Sequence, residues 1–110
     1  MKYLCLAYGD EKDWNALSRD QQDALLAQDD MLRGRGDLVA AVGRATTVRA
    51  WDGKATTTDG PFATAAAPLA GFGVIDAADL DEAIRLVEGT PCARAKGAVE
   101  LWPIRDLEHE

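Results

Sequence analysis

The feature that most constrains the fold is a sharp reversal in mid-chain, Thr58-Asp59-Gly60-Pro61-Phe62. Three of its residue types restrict the backbone in different ways. Asp bonds to amides just downstream, Gly adopts positive φ, and Pro fixes φ at about −65° while it removes a donor. The chain is therefore predicted to turn sharply here. We expect Phe62 to return its ring to the hydrophobic core after the turn.

Two β-prone runs precede this reversal, at residues 46–51 and 54–58, and they flank Asp52-Gly53. An Asp-Gly dipeptide between such runs predicts a β-hairpin, because a type I′ turn needs positive φ at both central positions. Threonine-rich strands of this kind are typical of a sheet edge or a solvated face. We therefore predict a hairpin inserted just ahead of the reversal.

Hydrophobic periodicity divides the rest of the chain into strands and helices. Strands are predicted at residues 2–8, 38–42, 69–75 and 98–104. Two helices are predicted to begin at capping boxes, Ser18 with Gln21 and Asp79 with Glu82, and glycine-containing segments at residues 34–36 and 89–91 are expected to end them. Residues 9–13 are expected to form a polar loop, and residues 106–110 an acidic, frayed tail.

The predicted order is strand, helix, strand, hairpin, strand, helix, strand. Helices placed between strands of a mostly antiparallel sheet predict an α+β fold with the helices on one face. The best match is a ferredoxin-like arrangement of the dimeric α/β-barrel type, here with an inserted β-hairpin. Leu4, Leu6 and Tyr8 share one face of the first strand. The uncovered face is expected to pack on a second copy of the chain, as a homodimer.

Composition limits the classes of function. A chain of 110 residues predicts one domain, at residues 1–105. The net charge of −7 and the lack of any Lys/Arg cluster argue against nucleic acid as a partner. Trp14, Trp51 and Trp102 are too scattered for a base-stacking surface, and we interpret them as packing residues or dimer anchors.

Targeting signals and cysteine usage favour a cytoplasmic protein. The first apolar run is too short for a signal peptide, and no stretch approaches the ~18 apolar residues of a membrane span. Cys5 and Cys92 lie far apart and belong to no CxxC motif. We interpret both as reduced thiols, with Cys5 in the core.

Several short motifs occur in a register that is similar to one known family. They are Tyr8-Gly9-Asp10, Ala45-Thr46-Thr47-Val48-Arg49, Thr58-Asp59-Gly60-Pro61-Phe62, Leu80-Asp81-Glu82-Ala83 and Val99-Glu100-Leu101. Together they resemble the DGPF-domain branch of the YCII-related proteins over residues 1–105. The resemblance implies a bacterial, cytoplasmic, ferredoxin-like domain that dimerises through its sheet. Many members are associated with extracytoplasmic-function sigma factors and have no assigned biochemical role.

The family that this sequence resembles also includes small-molecule enzymes that use a His–Asp pair. In such a pair a carboxylate orients an imidazole that titrates near neutrality. The one histidine of this chain is His109, in the predicted tail. Thr64 and Ala66 stand where the family motif usually has an acidic residue and a lysine. We therefore expect a non-catalytic domain, without cofactor or metal, that binds a small ligand or a partner such as a sigma factor. The alternative is a small-molecule lyase or isomerase with its site near the turn at residues 59–62.

Five residues are candidates for a site on this reading. Asp59 and Tyr8 are the acid/base candidates, and the ligand-binding candidates are Arg49, Asp59, Phe62 and Asp10. Arg49 would clamp an anion or pair with Asp59 across the hairpin. Structural interpretations compete with each role: Asp59 is a typical turn residue, and Tyr8 and Asp10 mark a strand end and its loop. The acidic loop that begins at Asp10 lacks the spacing of a calcium site, so no metal is predicted.

Overall fold

A computed structural model describes residues 1–106 and gives an antiparallel sheet with helices on one face. The strands are β1 (Lys2–Tyr8), β2 (Leu38–Ala41), β3 (Thr46–Arg49), β4 (Thr56–Asp59), β5 (Leu69–Asp76) and β6 (Ala98–Pro103), and the helices are α1 (Glu11–Asn15), α2 (Arg19–Gly34), α3 (Leu80–Val87) and α4 (Pro91–Arg94). The main sheet has the order β2-β5-β1-β6, and each neighbouring pair is antiparallel. β3 and β4 form a separate hairpin inserted between β2 and β5. The ferredoxin-like α+β prediction is confirmed.

Both longer helices begin where the capping boxes predict. Ser18 Oγ accepts a hydrogen bond from the Gln21 amide at 3.1 Å, and Gln21 Oε1 accepts one from the Ser18 amide at 2.8 Å. Asp79 accepts from the Glu82 amide at 2.9 Å, whereas Glu82 returns to the amide of Ala78 rather than to the cap itself, at 3.1 Å. These bonds satisfy amides that the first helical turn leaves unpaired. Within residues 1–106, no helix has the combined length and hydropathy needed to cross a bilayer.

The core lies between α2, α3 and one face of the main sheet. β1 and β5 pair so that Tyr3 lies opposite Ile75 and Cys5 lies opposite Gly73. The buried cluster comprises Tyr3, Cys5, Leu32, Ile75, Ala77, Ala83 and Val87. Alternate residues of a strand point to opposite faces, so the even-numbered residues of β1 face away from this core. The prediction that Cys5 is a core residue is confirmed.

The opposite face of the main sheet is mostly apolar and holds no buried residue, and Glu100 of β6 is an acidic residue on it, opposite Leu6. Leu38, Val74, Leu4 and Trp102 lie side by side across its four strands. We define the open face by this row and its neighbours, which are Leu4, Leu6, Leu38, Ala40, Phe72, Val74 and Trp102. Leu38 and Trp102 are among the exposed large hydrophobic residues of the chain.

Two short helices, α1 and α4, are present that the sequence does not predict. The polar loop expected at residues 9–13 contains the start of α1, because Asp10 caps it by accepting from the Lys12 amide at 3.0 Å. The helix stop expected at Gly89-Thr90-Pro91 is confirmed, since α3 ends at Val87, but a further short helix, α4, begins at Pro91. Pro91 occupies its first turn, where a missing N–H is tolerated and a fixed φ favours the helix. The tail beyond residue 106, with His109, lies outside the described residues.

The predicted hairpin forms, but its turn is wider than two residues. Residues 50–55 connect β3 to β4. Gly53 has a φ of +87°, whereas Asp52 is not among the described residues with positive φ, so the type I′ prediction is wrong. Asp52 Oδ1 instead accepts from the Lys54 amide at 3.2 Å, a local turn bond that favours the wider loop.

The mid-chain reversal is confirmed at Gly60, which has a φ of +99°. Its amide donates to the Ala45 carbonyl at 2.9 Å, and the Thr47 hydroxyl donates to its carbonyl at 2.7 Å. Phe62, by contrast, is 72% exposed, so the prediction that it packs in the core is wrong. Its ring lies 5.2 Å from Arg49 Cζ, because the turn directs it toward the hairpin rather than the main sheet.

Candidate functional site

A cavity of about 260 Å³ lies between α2, the corner that joins α3 to α4, and the covered face of the main sheet. Its sheet side is lined by small residues, Cys5, Ala7, Gly71 and Gly73 among them, and its helix side includes Leu26, Asp29, Leu32, Thr90, Pro91 and Cys92. Small side chains on the sheet leave space that larger ones would fill. The lining is mostly apolar, which is typical of a small-molecule site.

Gly71 and Gly73 shape this cavity through close approach of the neighbouring strand. A Cβ at Gly71 would lie 2.6 Å from the Ala40 carbonyl oxygen, and one at Gly73 would lie 2.8 Å from that of Leu38. Both atoms belong to the backbone of β2, so a side chain at either glycine would push the edge strand away. The two glycines thus allow β2 to pair closely with β5 in the main sheet.

Asp29 is the carboxylate that lines the cavity. It lies on α2 and is half-buried. Burial raises its pKa, an effect that the positive charge of Arg33 partly offsets. Arg33 itself pairs with the neighbouring Asp30 at 3.0 Å. A half-buried carboxylate at an apolar cavity is suited to bind a hydrogen-bond donor or to exchange a proton with a ligand.

Cys92 lines the same cavity from α4. Burial raises the pKa of its thiol, and the charge of Asp29 raises it further. The thiol is therefore neutral near pH 7, where a reactive cysteine would need thiolate character. Gly9 packs against it, since a Cβ at Gly9 would lie 3.1 Å from Cys92 Sγ. Cys92 contributes an apolar wall rather than a nucleophile.

The residues predicted as site candidates lie outside this cavity. None of Tyr8, Asp10, Arg49, Asp59 and Phe62 is in its lining. A hydrogen bond with Glu100 raises the pKa of the Tyr8 phenol. Asp10 serves as the cap of α1. The roles of these residues in binding or catalysis stay predictions.

Arg49 and Phe62 are brought together on the hairpin, whereas Asp59 is not part of their contact. Arg49 Nη1 donates to the Thr58 hydroxyl at 3.1 Å, and its Cζ lies 6.0 Å from the centre of the Trp51 ring. The strand register places Asp59 opposite Thr46. The ion pairs of residues 1–106 include none between Arg49 and Asp59. The guanidinium instead stacks on two aromatic rings.

The comparisons with known proteins agree with this architecture. The family model of the YCII-related domain matches residues 1–108. The chain belongs to the YCII-related family. A similar solved structure is the 5-chloro-2-hydroxyhydroquinone dehydrochlorinase from Burkholderia phenoliruptrix AC1100 in complex with 2,5-dihydroxybenzoquinone, at 18% identity and a TM-score of 0.51, over 99% of this chain and 98% of that one. At this identity the likeness shows a shared fold alone. The search of curated proteins finds no match.

Asp29 is the site residue that the sequence pattern did not single out in this YCII-related chain. Hydrophobic periodicity groups it with the other aspartates of α2, Asp20, Asp23 and Asp30, on the polar side of the helix. The sequence does contain a signal that Asp29 faces the core side of α2. Asp29 precedes the buried Leu32 by three positions, and residues at this spacing share one helix face. Gln28, next to it, donates to the Leu86 carbonyl at 3.1 Å, which shows that this face contacts α3.

The buried thiol of Cys5 predicts a loss of stability at alkaline pH. Burial, and next the charge of Asp37, raises its pKa from 9.0 to about 11. Because the folded-state pKa is the higher one, the stabilisation is fully present below the unfolded-state pKa of 9.0 and is lost as pH rises through about 11. A shift of this size corresponds to roughly 3 kcal/mol. This loss can be measured by urea unfolding of the wild type and of Cys5→Ala between about pH 8 and 11.

The comparison uses the slope of stability against pH rather than its absolute value, since Cys5→Ala also removes buried volume. Contributions from all groups that the two proteins share cancel in the difference. Wild type should lose more stability than the variant across this range. Parallel profiles for the two proteins would contradict the assignment.

Proposed function

We propose that this YCII-related chain binds a small, mainly apolar molecule in the cavity between α2 and the main sheet. The observation that carries the proposal is the cavity itself, which has a volume of about 260 Å³ and an apolar lining. A dry cavity of about 150 Å³ already holds benzene. The volume here suits a substituted single ring or an aliphatic molecule of similar size.

Asp29 sets the polar preference of the proposed site. Its ionised carboxylate accepts hydrogen bonds, and its protonated form also donates one. The chain carries a net charge of −7, which disfavours an anionic ligand. Arg33 also lines the cavity, but its charge is paired with Asp30. We therefore expect a neutral or cationic ligand with a hydroxyl or amino group beside an apolar body.

The solved dehydrochlorinase supports this choice at the level of ligand class. Its structure holds 2,5-dihydroxybenzoquinone, a single ring with hydroxyl groups. A hydroxylated ring combines the apolar area that the cavity would bury with a donor for Asp29. We therefore choose hydroxylated rings as the first probes.

Calorimetric titration of the purified chain with hydroquinone, 1,4-dimethoxybenzene and benzoate tests the proposal. Hydroquinone is expected to bind most tightly, because it alone combines a neutral ring with donors. Asp29→Asn should weaken hydroquinone binding about tenfold, the effect of losing a charged hydrogen-bond partner. Asp23→Asn is the matched control, since Asp23 is an exposed aspartate of the same helix and is not in the cavity lining. Absence of binding by every ring probe would contradict the proposal.

A second candidate is the lyase or isomerase reading, which the raised pKa of Asp29 favours. A carboxyl whose pKa is moved toward neutrality is suited to general acid–base catalysis. The candidate site then moves from the turn at residues 59–62 to the cavity. Incubation with a chlorinated hydroquinone, in the same set of variants, reports turnover. Activity that Asp29→Asn abolishes and Asp59→Asn retains would favour this candidate.

We also propose that the chain forms a homodimer through the open face. The support is the row of apolar side chains across the four strands, with Leu4 and Val74 at its centre. An apolar face of this extent is typical of a surface covered by a partner. Sheet packing by two identical faces has the symmetry of a two-fold dimer.

A sigma-factor partner and a cytoplasmic location stay predictions of the family resemblance. Gel filtration of the chain with purified extracytoplasmic-function sigma factors tests the first of them. Failure to form a complex with any sigma factor would contradict that partnership, and it would leave the ligand proposal untouched.

A further inference from the structure

The inserted hairpin extends away from the rest of the fold. We define the hairpin arm as residues 44–62, which include β3 and β4. The structure measures 51 × 37 × 21 Å, with a radius of gyration of 15.9 Å, whereas about 13 Å is expected for a compact chain of this length. β3 and β4 hydrogen-bond only to each other among the described strands, and every residue of β4 is exposed. The arm is therefore a separate two-stranded unit beside the main sheet.

Among residues 1–106, the arm has little of the packing support that such a hairpin needs. A single two-stranded hairpin is marginally stable in water, and packing against another surface normally stabilises it. The exposed side chains of the arm are those that make such contacts: Trp51 is 88% exposed, Val48 63% and Phe62 72%. Each would lose a large apolar area from water on contact with a partner.

Arg49 lies over two of these rings. Its guanidinium lies 5.2 Å from the centre of the Phe62 ring and 6.0 Å from that of Trp51. Stacking of this kind favours one arrangement of the rings and so lowers the side-chain entropy that is lost on binding. Trp and Arg are also the residue types that contribute most binding energy at protein interfaces.

The charge of the arm indicates what kind of surface it fits. It carries Arg44, Arg49 and Lys54 against Asp52 and Asp59, a net charge of +1. The whole chain carries −7, so the remaining residues carry −8. An aromatic arm with a slight positive charge is complementary to an acidic surface, and a second copy of this chain supplies one.

We propose that the arm of each copy packs on the body of the other copy, with Trp51 and Phe62 buried in the contact. This rests on the homodimer proposed through the open face. The two-fold symmetry of such a dimer makes both arm contacts equivalent. Reciprocal arms bury the exposed rings and also cover the free hydrogen-bonding edges of β3 and β4.

Sedimentation equilibrium of wild type and Trp51→Ala tests the proposal. Truncation of Trp51 should raise the dimer dissociation constant at least about 100-fold, because each dimer loses two such anchors. Leu80→Ala is the matched control: Leu80 is an exposed hydrophobic residue on α3, outside the arm and the open face, and no change is expected. A second variant, Arg44→Glu with Lys54→Glu, should weaken the dimer without removing apolar area.

Hydrogen exchange separates failure of the arm proposal from failure of the dimer. Amides of β3 and β4 should be protected in the wild-type dimer and should exchange faster in a variant made monomeric at the open face. Unprotected arm amides in a stable dimer, with an unchanged dissociation constant in Trp51→Ala, would overturn the arm contact and leave the open-face dimer intact. A wild-type monomer would overturn both. Binding of the arm to some other acidic protein, with no arm contact in the dimer, would also overturn the proposal.

Discussion

Leu4→Glu is expected to abolish the proposed dimer and leave a monomer. Leu4 lies on the central strand β1, opposite Val74 on one side and Trp102 on the other. A two-fold dimer through this face would bury two copies of the new carboxylate, each without a partner. The cost of an unpaired buried charge is several kcal/mol. The dissociation constant should rise at least about 1,000-fold, which sedimentation equilibrium measures.

The monomer itself should stay folded, because Leu4 is only half-buried in the single chain and faces away from the core. Far-ultraviolet circular dichroism of the variant checks this. Leu80→Glu is the control: it adds the same charge in the first turn of α3, where a carboxylate is favourable. A Leu4→Glu protein that dimerises as tightly as wild type would show that the open face is not the interface.

The strand and helix order could be predicted because its signals are local. The alternation in β1 already separates Tyr3 and Cys5 from Leu4 and Leu6, and the structure places these pairs on opposite faces. Ser18 starts a helix through bonds that span three residues, so the cap is visible in the sequence. Each of these features depends on neighbours along the chain.

The features that the sequence does not predict depend mainly on how helices and strands pack on one another, or belong to helices that are too short to show a pattern. Phe62 was expected in the core because it is aromatic, but the hairpin carries it away from the main sheet, where it stacks on Arg49. Periodicity places Asp29 with the polar residues of α2, whereas the packing of α2 brings it into the same cavity lining as Cys92. α1 and α4 are too short for a hydrophobic period, since they span 5 and 4 residues. Local features define them instead: the Asp10 cap begins α1, and Pro91 stands in the first turn of α4.

The proposed ligand cavity and the proposed dimer contact lie on opposite sides of the main sheet. Binding and dimerisation can therefore be tested separately. Asp29 and Cys92 reach the cavity from the helix side, whereas Leu4 and Trp102 lie on the open face. Dimerisation through the open face would therefore leave the cavity uncovered. A ligand that enters it should bind the Leu4→Glu monomer about as tightly as the wild-type dimer. Strand spacing, set by Gly71 and Gly73, is the feature that both surfaces share.

Gly97→Ala is expected to destabilise the fold by about 3 kcal/mol or more, as severe overpacking does. A Cβ at this position would overlap the Tyr8 carbonyl oxygen, and it would lie 2.8 Å from that of Cys92 and 3.1 Å from the Gly9 Cα. All three are backbone atoms, so no side chain can rotate away to relieve the overlap. Either the end of β1 or the end of α4 must move. Urea unfolding measures the loss.

Gly34→Ala provides the control for this substitution. A Cβ at Gly34 would have nothing within 4 Å, and Gly34 is the last residue of α2. Alanine there should leave stability unchanged or raise it by up to about 1 kcal/mol, its helix preference over glycine. A shift of α4 in Gly97→Ala would also move Pro91 and Cys92 and would weaken ring binding at temperatures where the variant stays folded, whereas a shift of β1 alone would not move them. A Gly97→Ala protein as stable as wild type would show that α4 and β1 do not meet as closely as the structure places them.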